Sequence, residues 1–269
     1  HVRGRAISRP ARSIIDNISK LAGIGYKEVV LTGVNISCYD YEDTDFESLV
    51  EKILDIPGNF RLRISSLEPE GFGEKLVALF NHPKLCPHLH LCLQSGSDNV
   101  LEKMGRVYKL AEYIKIIDQF KKKYPDFNLT TDIIVGFPGE TKKDFQQTCK
   151  VVKDIGFSHI HTFKFSTRKG TAAEHLPEQI PEIIKNERSE KIREISDTNK
   201  LTYRKSLINK IQRVLVERIN AEGMARGYGE HYVPVKFTST NCERNTFIDT
   251  RITDIDIKED MILKGSVNK

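Results

Sequence analysis

Along "LHLCLQ", Leu89, Leu91 and Leu93 alternate with His90, Cys92 and Gln94. A period of two predicts a strand with one apolar and one polar face. The same alternation recurs in "FRLRISS", where Leu62 and Ile64 oppose Arg61, Arg63 and Ser65, and in "LTTDIIVG", where Thr130 and Asp132 share a face. "EVVLTGVN" and "FSHIHTFKF" read as two further strands. Between them the spacing turns helical: Ile15, Ile18, Leu21 and Ala22; Phe46, Leu49, Val50 and Ile53; a short helix around Leu76–Phe80; Leu110, Ile114, Ile117 and Phe120; and a helix from Thr141 to Ile155. Strands alternating with helices predict an α/β domain with a parallel sheet and right-handed crossovers.

Strands of a sheet covered on both faces usually read as continuous apolar runs. Polar alternation in several strands points instead to a closed or partly closed βα barrel whose lumen accepts polar groups. An unpaired polar group buried against apolar surface costs roughly 1–3 kcal/mol. The expected lumen set is Arg63, Ser65, His90, Gln94 and Asp132, with Leu62, Leu91 and Leu93 packed under helices. Beyond about residue 205 the pattern changes to short strand-like runs, "KIQRVLVERI", "YVPVKFTS", "NTFIDTRITDIDI" and "MILKGSV", separated by turn signals such as "AEGMARGYGE". This predicts two domains, 1–205 and 206–269, the second a small all-β barrel of the size of OB-like nucleic-acid binders.

Composition narrows the class. In 269 residues of net charge +5, no apolar run is long enough to span a bilayer. The five cysteines, Cys38, Cys86, Cys92, Cys149 and Cys242, form no C-x-x-C pair and are expected to be reduced, in a cytoplasmic, monomeric protein without membrane contact. The chain opens on "HVRGRAISRP", with Arg3, Arg5, Arg9 and Arg12 ahead of any acidic residue, and reads as the middle of a longer polypeptide.

Candidate chemistry gathers where strands end, because βα loops at the carboxyl ends build active sites. In "VGFPGETKKDF", Gly136 and Gly139 permit a tight turn, and Thr141 with Asp144 makes a capping box. "LTGVN", "QSGSD" and "FSTRKGT" place small or amide-bearing residues at other strand ends. The pairs His88/His90 and His159/His161 each share a strand face, which keeps open a metal-dependent barrel hydrolase with Asp132 as a third ligand.

In order, "VRGRAISRP", "GYKEVVLTGVNIS", "LRISSLEP", "LHLCLQSGSDNVLEKMGRVY", "TTDIIVGFPGETKKDF" and "FSTRKGTAAEHLPEQIP" resemble the radical SAM methylthiotransferases, and "GYGEHYVPVKF" resembles their C-terminal TRAM module. The resemblance implies a partial radical SAM (βα) barrel, lacking its first strand and cluster loop, followed by the TRAM (OB-like) module. "LTGVNIS" with "RISSLEP" is most similar to the branch acting on tRNA that carries threonylcarbamoyladenosine beside the anticodon. The isopentenyladenosine and ribosomal-protein branches are alternatives, as is a noncatalytic RNA-binding protein.

That family uses S-adenosyl-L-methionine (SAM) and two 4Fe-4S clusters. One is held by a C-x-x-x-C-x-x-C loop just upstream of "VRGR", and the chemistry methylthiolates carbon 2 of the adenine. No cysteine here has that spacing, so this chain is expected to hold neither cluster and to be inactive alone. Carried over by motif, Gly33 and Asn35 approach the methionine end of SAM, Ser65, Ser66 and Glu68 line the next loop, and Gln94 and Ser95 approach the ribose. Gly136, Phe137 and Pro138 pack by the adenine, and Ser166 and Arg168 lie on the last loop, where Arg168 could equally contact an RNA phosphate. Arg3, Arg5, Lys210, Arg213, Arg226 and Lys236 are the candidates for tRNA contact.

Overall fold

Each strand read from the alternation is present in the computed structural model, which describes residues 7–167, 170, 172–239 and 242–267. In chain order the elements begin α1 (Ala11–Gly23), β1 (Glu28–Leu31), β2 (Asp40–Tyr41), β3 (Thr44–Asp45), α2 (Phe46–Leu54), β4 (Arg61–Ile64), β5 (Ser66–Leu67) and α3 (Glu74–Leu79). They continue β6 (His88–Leu91), α4 (Asp98–Lys103), α5 (Leu110–Lys123), β7 (Asn128–Val135), α6 (Lys142–Ile155), β8 (His159–Lys164) and α7 (Glu182–Ser206). The last strands are β9 (Ile211–Ile219), β10 (Met224–Tyr228), β11 (Pro234–Thr238), β12 (Phe247–Asp256) and β13 (Ile262–Ser266). They divide between two compact units, one drawn from 1–90, 126–128 and 204–269, the other from 91–125 and 129–203.

In the first unit β1 and β4 pair in parallel, Glu28 opposite Arg61 and Leu31 opposite Ile64. α2 lies in the crossover between them and buries Phe46, Leu49, Val50, Ile53 and Leu54. Asp45 starts α2 by accepting a hydrogen bond from the Ser48 amide at 2.8 Å, which satisfies one of the helix's unpaired N–H groups. The same unit holds a closed five-stranded barrel ordered β10-β11-β13-β12-β9. One of its strands escapes the sequence pattern: "AEGMARGYGE", expected to be a turn, contains β10. The inward residues of β10 are Ala225 and Gly227, too small to register as apolar alternation. Gly227 has no substitute there, since a Cβ would lie 1.8 Å from the Leu215 carbonyl oxygen.

In the second unit β7 and β8 pair in parallel, with Asp132 opposite His161. α6 crosses between them, opened by Thr141 and closed by Gly156 at φ 71°. Both halves of the Thr141/Asp144 capping box are formed. Leu62, Leu91 and Leu93 have no accessible surface. No described helix is long and apolar enough to cross a membrane.

The polar face of β4 departs from expectation. Arg61 and Arg63 are buried, but they do not front a ligand-bearing lumen. Arg63 donates through Nε and Nη2 to Glu28 at 3.1 and 3.0 Å, and Arg61 donates through Nε to the same carboxylate at 2.5 Å. The C-terminal barrel covers both arginines: the Arg213 and Tyr228 carbonyls accept from Arg61 at 2.9 and 3.0 Å, and the Tyr232 ring lies 4.3 Å from the Arg63 guanidinium carbon. Alternation showed that the polar face is occupied. The occupant is protein: a carboxylate and carbonyls accept from the guanidiniums and aromatic faces cover them, with the buried Arg63 Nη1 left without an acceptor.

Candidate functional site

In the first unit the named residues lie on the loops that follow β1 and β4. The parallel pairing carries both loops to one end, where the Ser65 amide donates to the Leu31 carbonyl at 3.0 Å. Asn35 takes a left-handed backbone, φ 54°, which Asn tolerates better than most residues. Its Oδ1 accepts from the Ser37 hydroxyl at 3.0 Å. Gly71 presses on the same turn, since a Cβ there would come within 2.8 Å of the Ser37 carbonyl oxygen. Gly33, Asn35 and Ser66 are exposed, and Ser65 and Glu68 half-buried. Five of the residues named for SAM thus share one strand-end surface. His90, on β6, is half-buried in this unit.

In the second unit the named residues lie on the loops after β6 and β7. Gln94, at φ 65°, donates its amide to the Asp132 carbonyl and accepts from the Ile134 amide, both at 2.9 Å. This places "QSGSD" beside β7. Ser95 turns inward, wholly buried, with its hydroxyl 3.4 Å from that of Thr148. Thr148 also accepts from the Gly96 amide at 3.0 Å. Ser97 donates to Asp144 at 2.6 Å and Asn99 donates to the same carboxylate at 3.1 Å. Burial pushes the Asp144 carboxyl up, but the donors Ser97, Thr141 and Asn99 outweigh it and hold the group below its ordinary value.

The "VGFPGE" turn is organised by Glu140. Its carboxylate accepts from the Gly136 amide at 2.7 Å and from Arg188 at 2.5 Å. Burial pushes the Glu140 carboxyl up, and the Gly136 amide and Arg188 offset that only in part. Gly136 and Gly139 both take positive φ, 73° and 75°, as the tight turn requires. Phe137 is buried edge-on against Phe165, 5.0 Å between centroids, and Pro138 is buried beside it in sequence; Ser166 is exposed. Asp132 is half-buried, with a carboxylate oxygen 4.0 Å from the Cys92 sulfur. Arg168, Arg3 and Arg5 lie outside the described residues.

The remaining RNA candidates are engaged within the first unit. Lys210 pairs with Asp126, Arg226 with Glu259, and Lys236 with both Asp256 and Glu259. Arg213 donates to the Asn59 side chain at 2.7 Å and stacks over Phe247 at 4.3 Å. Sequence reasoning missed the partners Glu28, Glu140 and Arg188, because a lone Glu or Arg in a strand or loop carries no spacing signal.

A family model for the Radical SAM superfamily matches residues 1–152. The chain is 41% identical over 238 residues to threonylcarbamoyladenosine tRNA methylthiotransferase MtaB of Thermotoga maritima, covering 87% of this chain and 55% of the relative. It is 34% identical over 254 residues to the Chlamydia pneumoniae protein of the same name, covering 94% of this chain and 60% of the relative. It is 41% identical over 226 residues to tRNA-2-methylthio-N(6)-dimethylallyladenosine synthase of a Thermoanaerobacter species, covering 82% and 48%. The chain therefore spans about half the length of the curated relatives it matches. Among solved structures, coproporphyrinogen III oxidase (HemN) of Escherichia coli superposes with a TM-score of 0.55 at 11% identity, covering 76% of this chain and 52% of that one. That likeness speaks for the fold, and with the family match over more than half of its length this chain belongs to the Radical SAM superfamily.

Proposed function

We propose that the chain is part of a tRNA methylthiotransferase that modifies carbon 2 of threonylcarbamoyladenosine. The observation that carries the reading is the pair of relatives bearing that name, matched over 87% and 94% of this chain. The relatives named for dimethylallyladenosine reach the same 41% identity over a shorter stretch. The motifs "LTGVNIS" and "RISSLEP" favour the first branch. The closed barrel at 211–266 supports reading 206–269 as a TRAM-like module that adds tRNA affinity, with 1–205 as the catalytic part.

Membership implies SAM and a 4Fe-4S cluster. The five cysteines do not fit a cluster. They are scattered over separate elements, Cys86 is buried with its thiol pushed up to about 11, and burial raises the Cys149 thiol as well. Cluster ligands are closely grouped thiolates, a pattern that these five residues do not make. The polar groups of the first unit do fit a charged amino-acid end: the Asn35 amide, the Ser66 hydroxyl and the half-buried Glu68 carboxylate stand at two adjoining strand ends. SAM, when bound, supplies the methyl group. In this reading Asn35, Ser65, Ser66 and Glu68 fix its amino and carboxylate groups. Within the second unit, the turn held by Glu140 fixes the backbone around Phe137 and Pro138.

Nucleoside analysis by mass spectrometry of tRNA from cells lacking the gene tests the reading. Threonylcarbamoyladenosine should lose its methylthio group while dimethylallyladenosine keeps its own. The reverse result would move the chain to the other branch.

A further inference from the structure

At the amino ends of β1 and β4, opposite the candidate SAM loops, the first unit has an open cleft of about 520 Å³ lined by Lys27, Asn59, Arg213, Thr246, Phe247 and Asp249. The neighbouring strands run from this cleft toward the SAM loops. At roughly 3.3 Å per residue the two sites stand on the order of 15 Å apart.

We propose that this cleft binds one nucleotide of an RNA strand, its base stacked on the Arg213–Phe247 pair and its phosphate on Lys27. The inference rests on the tRNA reading above and adds a second contact, remote from the reacting adenosine. Three observations carry it. Lys27 is half-buried and makes no ion pair or side-chain hydrogen bond among the described residues, so its ammonium is available to an anion. Arg213 is stacked on Phe247 at 4.3 Å and anchored by Asn59 at 2.7 Å, so a planar cation is held in place, and the Glu230 carboxylate beside it accepts from its backbone amide. Arginine planes and aromatic rings are the platforms on which unpaired bases stack.

The third observation is that the lining is mixed. An exposed Asp249 carboxylate would repel a bare phosphate, but it can accept from the amino edge of a base, and the Asn59 amide can read the same edge. A nucleotide satisfies the cation, the ring and the carboxylate together, whereas inorganic phosphate satisfies only the first.

The test measures binding of this chain to unmodified tRNA across a series of KCl concentrations. Lys27→Glu should weaken binding by at least roughly threefold and lower the salt slope by about one, because one phosphate contact is lost. Phe247→Leu should weaken binding with the slope unchanged, because it removes a stacking surface and no charge. If that variant fails to fold, Arg213→Lys replaces it, keeping the charge and losing the plane. Unchanged affinity and slope in Lys27→Glu would overturn the proposal, as would failure of the parent chain to bind tRNA. The nucleoside analysis above still judges the catalytic reading separately.

Discussion

Glu28 in the first unit and Glu140 in the second are both withdrawn from water and both face arginine, yet their carboxyls shift in opposite directions. For Glu28 burial pushes the pKa up, but hydrogen bonds and charge from Arg63 and Arg61 outweigh it, and the group is held below its ordinary value of 4.5. Glu140 is the more deeply buried side chain, 1% exposed against 18%, and has a single arginine. There burial wins and the carboxyl rises. The two regions use one residue type for different tasks. On the polar face of β4 the carboxylate neutralises two buried guanidiniums, and the surplus positive charge sits under the rings of Tyr232 and Phe247. In the "VGFPGE" turn the carboxylate serves chiefly as an acceptor that fixes the Gly136 amide.

The largest effect should come from breaking the first arrangement. Glu28→Gln leaves two buried guanidiniums without their hydrogen-bonded carboxylate and should cost about 3–5 kcal/mol in urea unfolding, the usual penalty for removing one partner of a buried ion pair. Glu140→Gln keeps an oxygen for Gly136 and Arg188 and should cost only about 1 kcal/mol. The pH dependences should also run in opposite directions. Glu28, with its folded pKa depressed, contributes stability that is complete above the ordinary value near 4.5 and lost as pH falls through the folded value. Glu140, with its folded pKa raised, contributes stability that is present below the ordinary value and lost as pH rises through the folded one. Equal costs for the two substitutions would mean that the second arginine on Glu28 is energetically idle.

A second test sharpens the account of the covered strand face through His231, in the hairpin between β10 and β11. Its Nδ1 lies 3.0 Å from the Gln212 side-chain oxygen. Burial depresses its pKa to about 4, with Lys210 and Arg63 lowering it further against Asp126. A histidine held neutral by the fold contributes stability that is complete above its unfolded value near 6.5 and lost as pH falls from there toward about 4. His88, buried in the same unit with its ring tilted against that of Tyr232 at 4.9 Å between centroids, shifts in the same direction. Unfolding followed from pH 7 to pH 4 should therefore steepen by up to about 1.4 kcal/mol per pH unit for each histidine. His231→Asn should remove one such component. An unchanged slope would show that the hairpin opens and hydrates before the rest of the unit unfolds.

How far the sequence carried these regions follows from what occupies each buried face. Leu62, Leu91 and Leu93 were legible because leucine on alternate positions is unambiguous. The occupant of the opposite face was not, because Arg61 and Arg63 lie more than 150 residues in sequence from the Arg213 and Tyr228 carbonyls that pair with Arg61. The helix over Glu182–Ser206 left no apolar signature either. Its buried positions include Lys185, Ser189, Ser196, Asn199 and Lys200 around a single fully covered isoleucine, Ile192. Helical spacing is there, but polar residues carry it: Ser196 accepts from the Ile160 amide and Asn199 donates to the Val152 carbonyl, both at 3.0 Å. Of the candidate site, the loops and the capping box could be read directly, since strand ends and Gly, Thr and Asp spacings are local. The roles of Ser95 and Glu140 depended on partners, Thr148 and Arg188, that the chain brings back only in three dimensions.

The smallest expected effect is at the cap of α6, where the second unit distributes its polar pairing most widely. The Thr141 hydroxyl donates to Asp144 Oδ2 at 2.6 Å and accepts from the Asp144 amide at 3.2 Å. The Asp144 carboxylate also accepts from the Thr141 amide at 2.9 Å, from Ser97 and from Asn99. Thr141→Ala therefore removes one donor and one acceptor while three donors remain on the carboxylate. Loss of a helix cap of this kind costs about 1 kcal/mol. The charge on Asp144 stays solvated by neutral groups, unlike the two arginines stranded by Glu28→Gln. Asp144→Ala removes the hub itself, leaving the Ser97 hydroxyl buried without its acceptor, and should cost more than Thr141→Ala. Urea unfolding of the two variants beside Glu28→Gln sets the scale. If Thr141→Ala matched Glu28→Gln, distributed neutral donors would be no more tolerant of a single loss than a concentrated ion pair, and the distinction between the two regions would fail.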